Sequence, residues 1–171
     1  MGFRLVLSII AADGYNNVAL TYVNNDYGQS LAEAFASAWQ RGRPPRQGSI
    51  AYNNPHDQGQ QSYSSIISDM NDSGADAWLF VTYQAEFASM VNEMFSSGYE
   101  PPLYGADSVS GDNVLENTPE GSMQDMTIVV PSAPVEQENY QMFADRFETE
   151  YGEPPIVWSA YAYDCVVTAA L

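Results

Sequence analysis

Three side chains that could bind a small polar molecule each follow an apolar run of the sequence. Tyr27 comes after "VALTYV", Tyr83 after "DAWLFVT" and Asp107 after "LYGA". A carboxylate pairs with an ammonium group, and aromatic ring faces attract cations and cover apolar surface. The set predicts a site for a polar organic molecule that carries a positive charge. Gln84 and Ser108 are their chain neighbours and are expected to contribute less.

Each of the three residues also has a purely structural interpretation. Tyr27 could pack at the start of a helix whose N-cap is Asn25 or Asp26. Tyr83 could end a strand in the core, and Asp107 could cap a short helix. Taken singly, the structural interpretation is favoured for each residue. All three residues, however, are expected at the same edge of the predicted sheet, and this coincidence favours a binding role.

The elements that position these residues alternate between strands and helices. Short apolar runs predict strands at 17–23, 49–52, 76–83, 102–107 and 126–131. Apolar residues at helical spacing lie between them, and 41–48 is a turn rich in Gly and Pro. This order predicts an α/β fold of three layers, an open and mostly parallel sheet with helices on both faces, as in flavodoxin-like proteins. In such sheets ligands bind beyond the carboxyl ends of the strands.

Several segments are predicted to be structural or solvated. The segment 1–14 is expected to run straight into the first strand and lacks the cleavage signature of a signal peptide. The polar segment 53–61 is expected to be a surface loop with His56 in solvent. Three glutamates are placed on solvated faces and two methionines in the core; these are Glu33, Glu86, Glu93, Met90 and Met94.

The composition excludes several function classes. The chain has 22 acidic residues against 5 basic ones, all of them arginine, and a net charge of −17. Such a surface repels nucleic acids and anionic membranes. It fits a protein from a salt-rich environment as well as an ordinary acidic protein. The absence of lysine excludes a P-loop lysine and a Schiff base. With one cysteine, Cys165, and one histidine, His56, neither an internal disulfide nor a metal site is expected, and no cofactor is expected.

Catalysis finds little support in the sequence. Neither a G-x-S-x-G nor a G-x-G-x-x-G motif is present. A small hydrolase on a flavodoxin-like sheet remains an alternative, with Ser30, Ser108 or Ser110 as nucleophile and His56 as its base. We expect a protein that is not an enzyme.

The order of several stretches resembles the second lobe of the type I periplasmic binding proteins, in particular the branched-chain amino-acid-type receptors of ABC importers. These stretches are "NNVALTYVNNDYGQSLAEAF", "ADAWLFVTYQAEF", "PPLYGADSV" and "YGEPPIVWSAYAYDCVVTAAL". The resemblance implies a ligand clamped between two α/β lobes. It implies contacts from Tyr27 and Tyr83, and from Asp107 to the ligand's ammonium, with Gln84 and Ser108 at lower weight.

The resemblance also implies the organisation of the chain. Residues 1–156 correspond to the second lobe and 157–171 to a helix that returns to the first lobe. "FR" at 3–4 resembles a crossover, and the helix expected between it and "NNVALTYV" looks short. Since nothing matches the first lobe, a fragment is expected. The parent is expected in the periplasm or outside the cell, with an amino acid or related amine as ligand and an ABC permease as partner. A ligand-sensing domain of a receptor or regulator is the alternative.

The tail helix is expected to mediate self-association. Without a first lobe to cover it, it exposes apolar side chains, and exposed apolar patches favour association. These side chains are Val157, Trp158, Val166 and Val167.

Overall fold

The computed structural model describes residues 2–42 and 48–170 and contains an open sheet of five parallel strands in the order β2-β1-β3-β4-β5. The elements are α1 (Gly2–Ala12), β1 (Asn17–Val23), α2 (Asp26–Gln40), β2 (Ser49–His56), α3 (Ser64–Asp72), β3 (Ala77–Val81), α4 (Gln84–Ser96), β4 (Leu103–Gly105), a 3₁₀ turn (Asp107–Val109), α5 (Asp112–Glu116), β5 (Thr127–Ile128), α6 (Glu138–Tyr151) and α7 (Val157–Ala170). The predicted α/β fold is confirmed.

Strand β3 shows why the sheet lies in the middle of the fold. All of its residues are buried, as the continuous apolar run predicts. Alternation along the strand sends Trp78 and Phe80 to one face, and Leu79 and Val81 to the other. Both faces therefore need a layer of helices.

Helices cover both faces of the sheet. On the first face Val6 and Ile10 of α1 and Phe35 of α2 share one buried core with Leu79. On the second face the core contains Ile67 and Met70 of α3 together with Phe87, Met90, Val91 and Met94 of α4. The prediction that Met90 and Met94 are core residues is confirmed.

The predictions for segments 1–14 and 53–61 need correction. The N-terminal segment does not run straight into a strand. It forms α1, which buries Val6 and Ile10 on the sheet. Residues 3 and 4, which resemble a crossover in sequence, lie within this helix. Residues 53–56 are not a loop, because β2 continues to His56 and its residues 52–56 pair with β1. Of the predicted turn 41–48, residues 43–47 lie outside the described part of the chain.

The chain forms two compact units, Met1–Val130 and Pro131–Leu171. The first contains the whole sheet, and the second contains α6 and α7. The predicted division between 1–156 and 157–171 stays a prediction.

Within 2–42 and 48–170, no helix has the length and apolar character needed to cross a membrane.

Candidate functional site

The candidate site lies where the strand order of the sheet reverses. The chain moves from β1 to β2 on one side and to β3 on the other, so a crevice opens beyond the carboxyl ends of β1 and β3. Tyr27 is in the first turn of α2, after β1, and Tyr83 is the N-cap residue of α4, after β3. Asp107 begins the 3₁₀ turn that follows β4, the next strand. The fold therefore brings the three predicted residues together.

Tyr27 and Tyr83 stack on each other. Their ring centroids are 5.7 Å apart and their planes differ by 16°. Both rings are half-buried, which leaves part of this aromatic surface open to a ligand. The pair forms one wall of the site.

Asn25 connects the start of α2 to Tyr83. Its side-chain oxygen accepts from the amide of Gly28 at 3.1 Å, so Asn25 is the N-cap, one of the two residues expected there. Its side-chain nitrogen donates to the Tyr83 hydroxyl at 3.2 Å. Because the hydroxyl oxygen accepts this bond, its own hydrogen can be donated to a ligand. The sequence pointed to Asn25 only as a cap.

Gly28 keeps Tyr27 close to the end of β1. A Cβ atom at this position would overlap the carbonyl oxygen of Val23. A side chain there would push the first turn of α2 away from the strand. The glycine therefore contributes to the position of Tyr27 in the site.

Asp107 and Ser108 meet the Tyr27 hydroxyl. The Tyr27 oxygen lies 3.2 Å from Oδ1 of Asp107 and 2.7 Å from Oγ of Ser108, and Ser108 Oγ lies 2.5 Å from the carbonyl oxygen of Thr82. These three contacts share two hydrogens, one on Tyr27 and one on Ser108. Since Asp107 and the Thr82 carbonyl are acceptors, one contact always lacks a hydrogen. A donor supplied by a ligand would relieve this shortage.

Burial is the main cause that raises the pKa of Tyr27 to about 12, and the charge of Asp107 adds to it, while the hydrogen bond between Tyr27 and Ser108 acts in the opposite direction. The hydroxyl therefore keeps its proton at neutral pH. In this site Tyr27 is a neutral group that donates a hydrogen bond, and Asp107 supplies the negative charge.

The side chain of Gln84 is engaged within the protein. Its nitrogen donates to the carbonyl of Ser110 at 2.5 Å, and its oxygen accepts from Asn113 at 3.4 Å. These bonds hold the segment between the 3₁₀ turn and α5 against α4. A ligand contact by Gln84 stays a prediction, and it would require Gln84 to give up one of these partners.

His56 is not the solvated loop residue that the sequence suggested. It ends β2 with 2% of its surface exposed. Thr21 gives its hydroxyl hydrogen to the carbonyl of Asn54 at 3.2 Å, so the 3.0 Å contact with Nδ1 takes its hydrogen from the ring. Nε2 then accepts from the Thr82 hydroxyl at 2.8 Å. Burial, opposed by the charges of Glu86 and Asp57, lowers the pKa of His56 to about 4, so the ring is neutral at pH 7.

Two of the three glutamates predicted on solvated faces have structural roles. Glu86 is 6% exposed; one carboxylate oxygen accepts from the amide of Gly59 at 3.2 Å, and the other is buried without a partner. Glu93 accepts from the amide of Tyr63 with both oxygens, at 2.9 and 3.1 Å. Both residues hold the chain around α3 against α4. Glu33 is exposed, as predicted.

Among the described residues, no hydrogen bond joins His56 to Ser108, the serine of the candidate site. The buried nitrogens of His56 are bonded to Thr21 and Thr82, whereas Ser108 bonds Thr82 and Tyr27. In the described ranges, no three His, Cys, Asp or Glu side chains are grouped so that they could hold a metal ion. The arrangement is suited to reversible binding through a carboxylate, hydroxyl groups and aromatic faces.

The family described as "Periplasmic binding protein" matches the chain over residues 2–171. A comparison with curated protein sequences gives no significant match.

Solved structures with the same fold include three bacterial proteins. A putative branched-chain amino acid ABC transporter from Rhodospirillum rubrum is 21% identical, with a TM-score of 0.78 over 96% of this chain and 46% of its own. The leucine-binding protein LivK from Thermotoga maritima is 16% identical, with a TM-score of 0.77 over 97% and 47%. The branched-chain amino acid binding protein LivJ from Streptococcus pneumoniae, in complex with isoleucine, is 21% identical, with a TM-score of 0.72 over 96% and 46%. At these identities the likeness shows the fold, and the chain spans less than half the length of each of these proteins.

Proposed function

Because this chain belongs to the periplasmic binding protein family, we propose that it is a non-catalytic solute-binding lobe for amino acids or related amines and amides. One observation carries the proposal. Tyr27, Tyr83 and Asp107 come from three separate elements and converge at the point where the strand order reverses.

Each group in the site has a part in binding. Asp107 pairs with the ammonium of the solute, which also supplies the hydrogen missing between Asp107, Tyr27 and Ser108. The stacked rings of Tyr27 and Tyr83 cover the body of the solute. The Tyr83 hydroxyl, which accepts from Asn25, donates its hydrogen to a solute oxygen.

We propose that the parent protein is the receptor of an ABC importer, located in the periplasm or outside the cell, with a permease as partner. One of the similar structures is named as a putative branched-chain amino acid ABC transporter, and another as a transporter substrate binding protein in complex with isoleucine. Since the chain spans less than half of their length, it supplies only part of a two-lobed site. Affinity for this chain alone is therefore expected in the millimolar range, because much of the ligand's surface stays in water.

A second partner is another copy of the chain. Its contact is proposed to be α7, which has many exposed apolar residues, among them Trp158, Val166 and Val167.

Calorimetric titration of an amino-acid and amine panel into the purified chain tests the solute-binding role. The informative variant is Asp107→Asn, which removes the negative charge and keeps the shape. The matched control is Asp112→Asn, which removes an exposed charge from the nearby start of α5. We expect at least one amine to bind the wild type and the control. Asp107→Asn should bind it about tenfold or more weakly, as for a lost charged hydrogen bond.

Equal affinity in Asp107→Asn and in the control would refute the role of Asp107. The panel can instead show binding of carboxylates that lack an amine, with Tyr83→Ala weakening their binding about tenfold or more. That result would support the location of the site and change the proposed class of solute. No binding by any member of the panel, at concentrations up to tens of millimolar, would count against a solute-binding role for this lobe.

A further inference from the structure

The two hydrogen bonds of the Asn25 side chain have fixed directions. The backbone amide of Gly28 can only donate, so the Asn25 group that faces it at 3.1 Å is the side-chain oxygen. The side-chain nitrogen of Asn25 therefore faces the Tyr83 hydroxyl and donates to it at 3.2 Å. Because an amide nitrogen cannot accept, the hydrogen of the Tyr83 hydroxyl is not directed at Asn25. The cap of α2 thus sets the direction of the Tyr83 hydroxyl.

The two stacked tyrosines consequently differ in hydrogen-bond character. The Tyr27 hydroxyl lies 3.2 Å from Asp107 and 2.7 Å from Ser108, in a cluster that lacks one hydrogen. The Tyr83 hydroxyl receives a hydrogen from Asn25 and has its own to give. Both tyrosines are half-buried, and their rings form one wall of the site. A solute on this wall meets a need for a donor at Tyr27 and an offered hydrogen at Tyr83.

We propose that Asn25 is a positioning residue that makes the site select solutes with a hydrogen-bond acceptor next to their ammonium group. This role rests on the proposed solute-binding function and adds a requirement for the solute. Asn25 acts through Tyr83, without contacting the solute. Aspartate caps a helix as well as asparagine does, but its carboxylate would accept the Tyr83 hydrogen and leave none for the solute.

Leucinamide and isopentylamine are the probes that test the selection. Both carry one ammonium group and the same branched body, and only leucinamide has a carbonyl oxygen beside the ammonium. Their charge is equal at about pH 6.5, where α-amino groups are protonated. A carboxylate introduced into the protein therefore acts on the charge of both probes alike, and the ratio of their affinities reports the acceptor alone.

Each probe is titrated into the isotope-labelled whole chain, and the amide chemical shifts give its affinity. We expect the wild type to bind leucinamide about tenfold more tightly than isopentylamine, as for one hydrogen bond with a charged or desolvated partner. Asn25→Asp should weaken leucinamide about tenfold and should not weaken isopentylamine. Its melting temperature should stay close to that of the wild type, because the cap is kept.

Two further variants separate the mechanism from an effect of charge. Gln29→Glu is the matched control, because it adds a carboxylate at an exposed position of the same helix, where the side chain bonds Asn24. It should keep the wild-type ratio of affinities. Tyr83→Phe keeps the ring and removes the hydroxyl, so it should weaken leucinamide as much as Asn25→Asp does. Adding Asn25→Asp to Tyr83→Phe should then cause no further loss.

A measurement without solute tests the contact itself. The side-chain amide signals of Asn25 should shift in Tyr83→Phe, which removes the acceptor of their hydrogen bond. The side-chain signals of Asn92 serve as the reference, since this residue donates to the carbonyls of Ala88 and Asn117. Asn25 signals that stay unchanged overturn the proposed role of Asn25 and leave the solute-binding function in place.

The solute titrations overturn the role of Asn25 in three ways. These are equal affinities of the wild type for both probes, an equal weakening of both probes by Asn25→Asp, and a further loss when Asn25→Asp is added to Tyr83→Phe. Each of these results still shows a solute bound, so the solute-binding function survives it. If neither probe binds the wild type up to about 100 mM, the solute-binding function fails, and the selection by Asn25 fails with it.

Discussion

Tyr27 and Tyr83 stack with their ring centroids 5.7 Å apart and their planes 16° from parallel, although one begins α2 and the other caps α4. The stack joins the two helices on either side of the point where the strand order reverses. The contact that holds the starts of α2 and α4 together therefore also forms one wall of the candidate site.

A double-mutant cycle should detect this stack as a coupling between the two rings. With Tyr27→Ala, Tyr83→Ala and the double variant, urea unfolding is expected to give a coupling energy of about 1 kcal/mol. Tyr99 packs on Trp78 with centroids 6.4 Å apart and provides the control. The cycle of Tyr27→Ala with Tyr99→Ala should give a coupling near zero. If both cycles give the same value, the stack contributes nothing specific.

Acid should destabilise the protein through His56. The ring is neutral in the fold, where burial lowers its pKa to about 4, whereas the unfolded value is 6.5. Its contribution is therefore complete above pH 6.5 and is lost as the pH falls from 6.5 to 4. It is on the order of 3 kcal/mol. Denaturant unfolding at several pH values measures it.

His56→Gln provides the comparison, because glutamine can keep a polar group at this position without titrating. Glu86 and Asp57, whose charges act on His56, remain in this variant. The slope of stability against pH between 6.5 and 4 should become shallower in His56→Gln than in the wild type. Parallel pH profiles would mean that other groups cause the acid sensitivity.

Gly28→Ala should disrupt the start of α2. The added Cβ overlaps the carbonyl oxygen of Val23, a backbone atom that cannot rotate away. We expect a loss of about 2 kcal/mol or more in the free energy of unfolding. Ser30→Ala, at an exposed position of the same helix, should change it by less than about 0.5 kcal/mol. Thermal unfolding of both variants measures the difference. Equal melting temperatures for Gly28→Ala and Ser30→Ala would contradict this account.

Salt should stabilise the fold, because a net charge of −17 makes the folded chain repel itself. Screening acts mainly at low concentration, so most of the rise in melting temperature should occur by about 0.5 M NaCl. The same concentrations of sucrose, which does not screen charge, are the control. A melting temperature that NaCl leaves unchanged would argue against a surface adapted to salt.

The sequence predicted the sheet and its edge because both depend on local patterns. Continuous apolar runs located β1 and β3, and the general rule for parallel sheets then placed Tyr27, Tyr83 and Asp107 at one edge. The apolar pattern did not indicate helix α1, which only the resemblance implied and as a short helix, because its apolar residues, such as Val6 and Ile10, come directly before a strand in a segment without a clear helix start.

His56 and Glu86 were misplaced for a different reason. Their polarity and polar neighbours indicate solvent, but their burial depends on partners from other strands and loops. Thr21, Thr82 and the amide of Gly59 supply those partners, and nothing in the local sequence marks them. Buried polar residues with distant partners are the part of a fold that periodicity does not encode.

Titration of an amino acid or amine into isotope-labelled protein, followed by amide chemical shifts, tests the central claim most directly, since it detects millimolar binding and locates it. The account predicts shifts at residues 25–28, 82–84 and 107–110, and their loss in Asp107→Asn. Shifts confined to the cavity between α6 and α7, or to the one lined by Asp13, Tyr15 and Tyr104, would contradict it. The absence of any shift up to tens of millimolar ligand would contradict it as well.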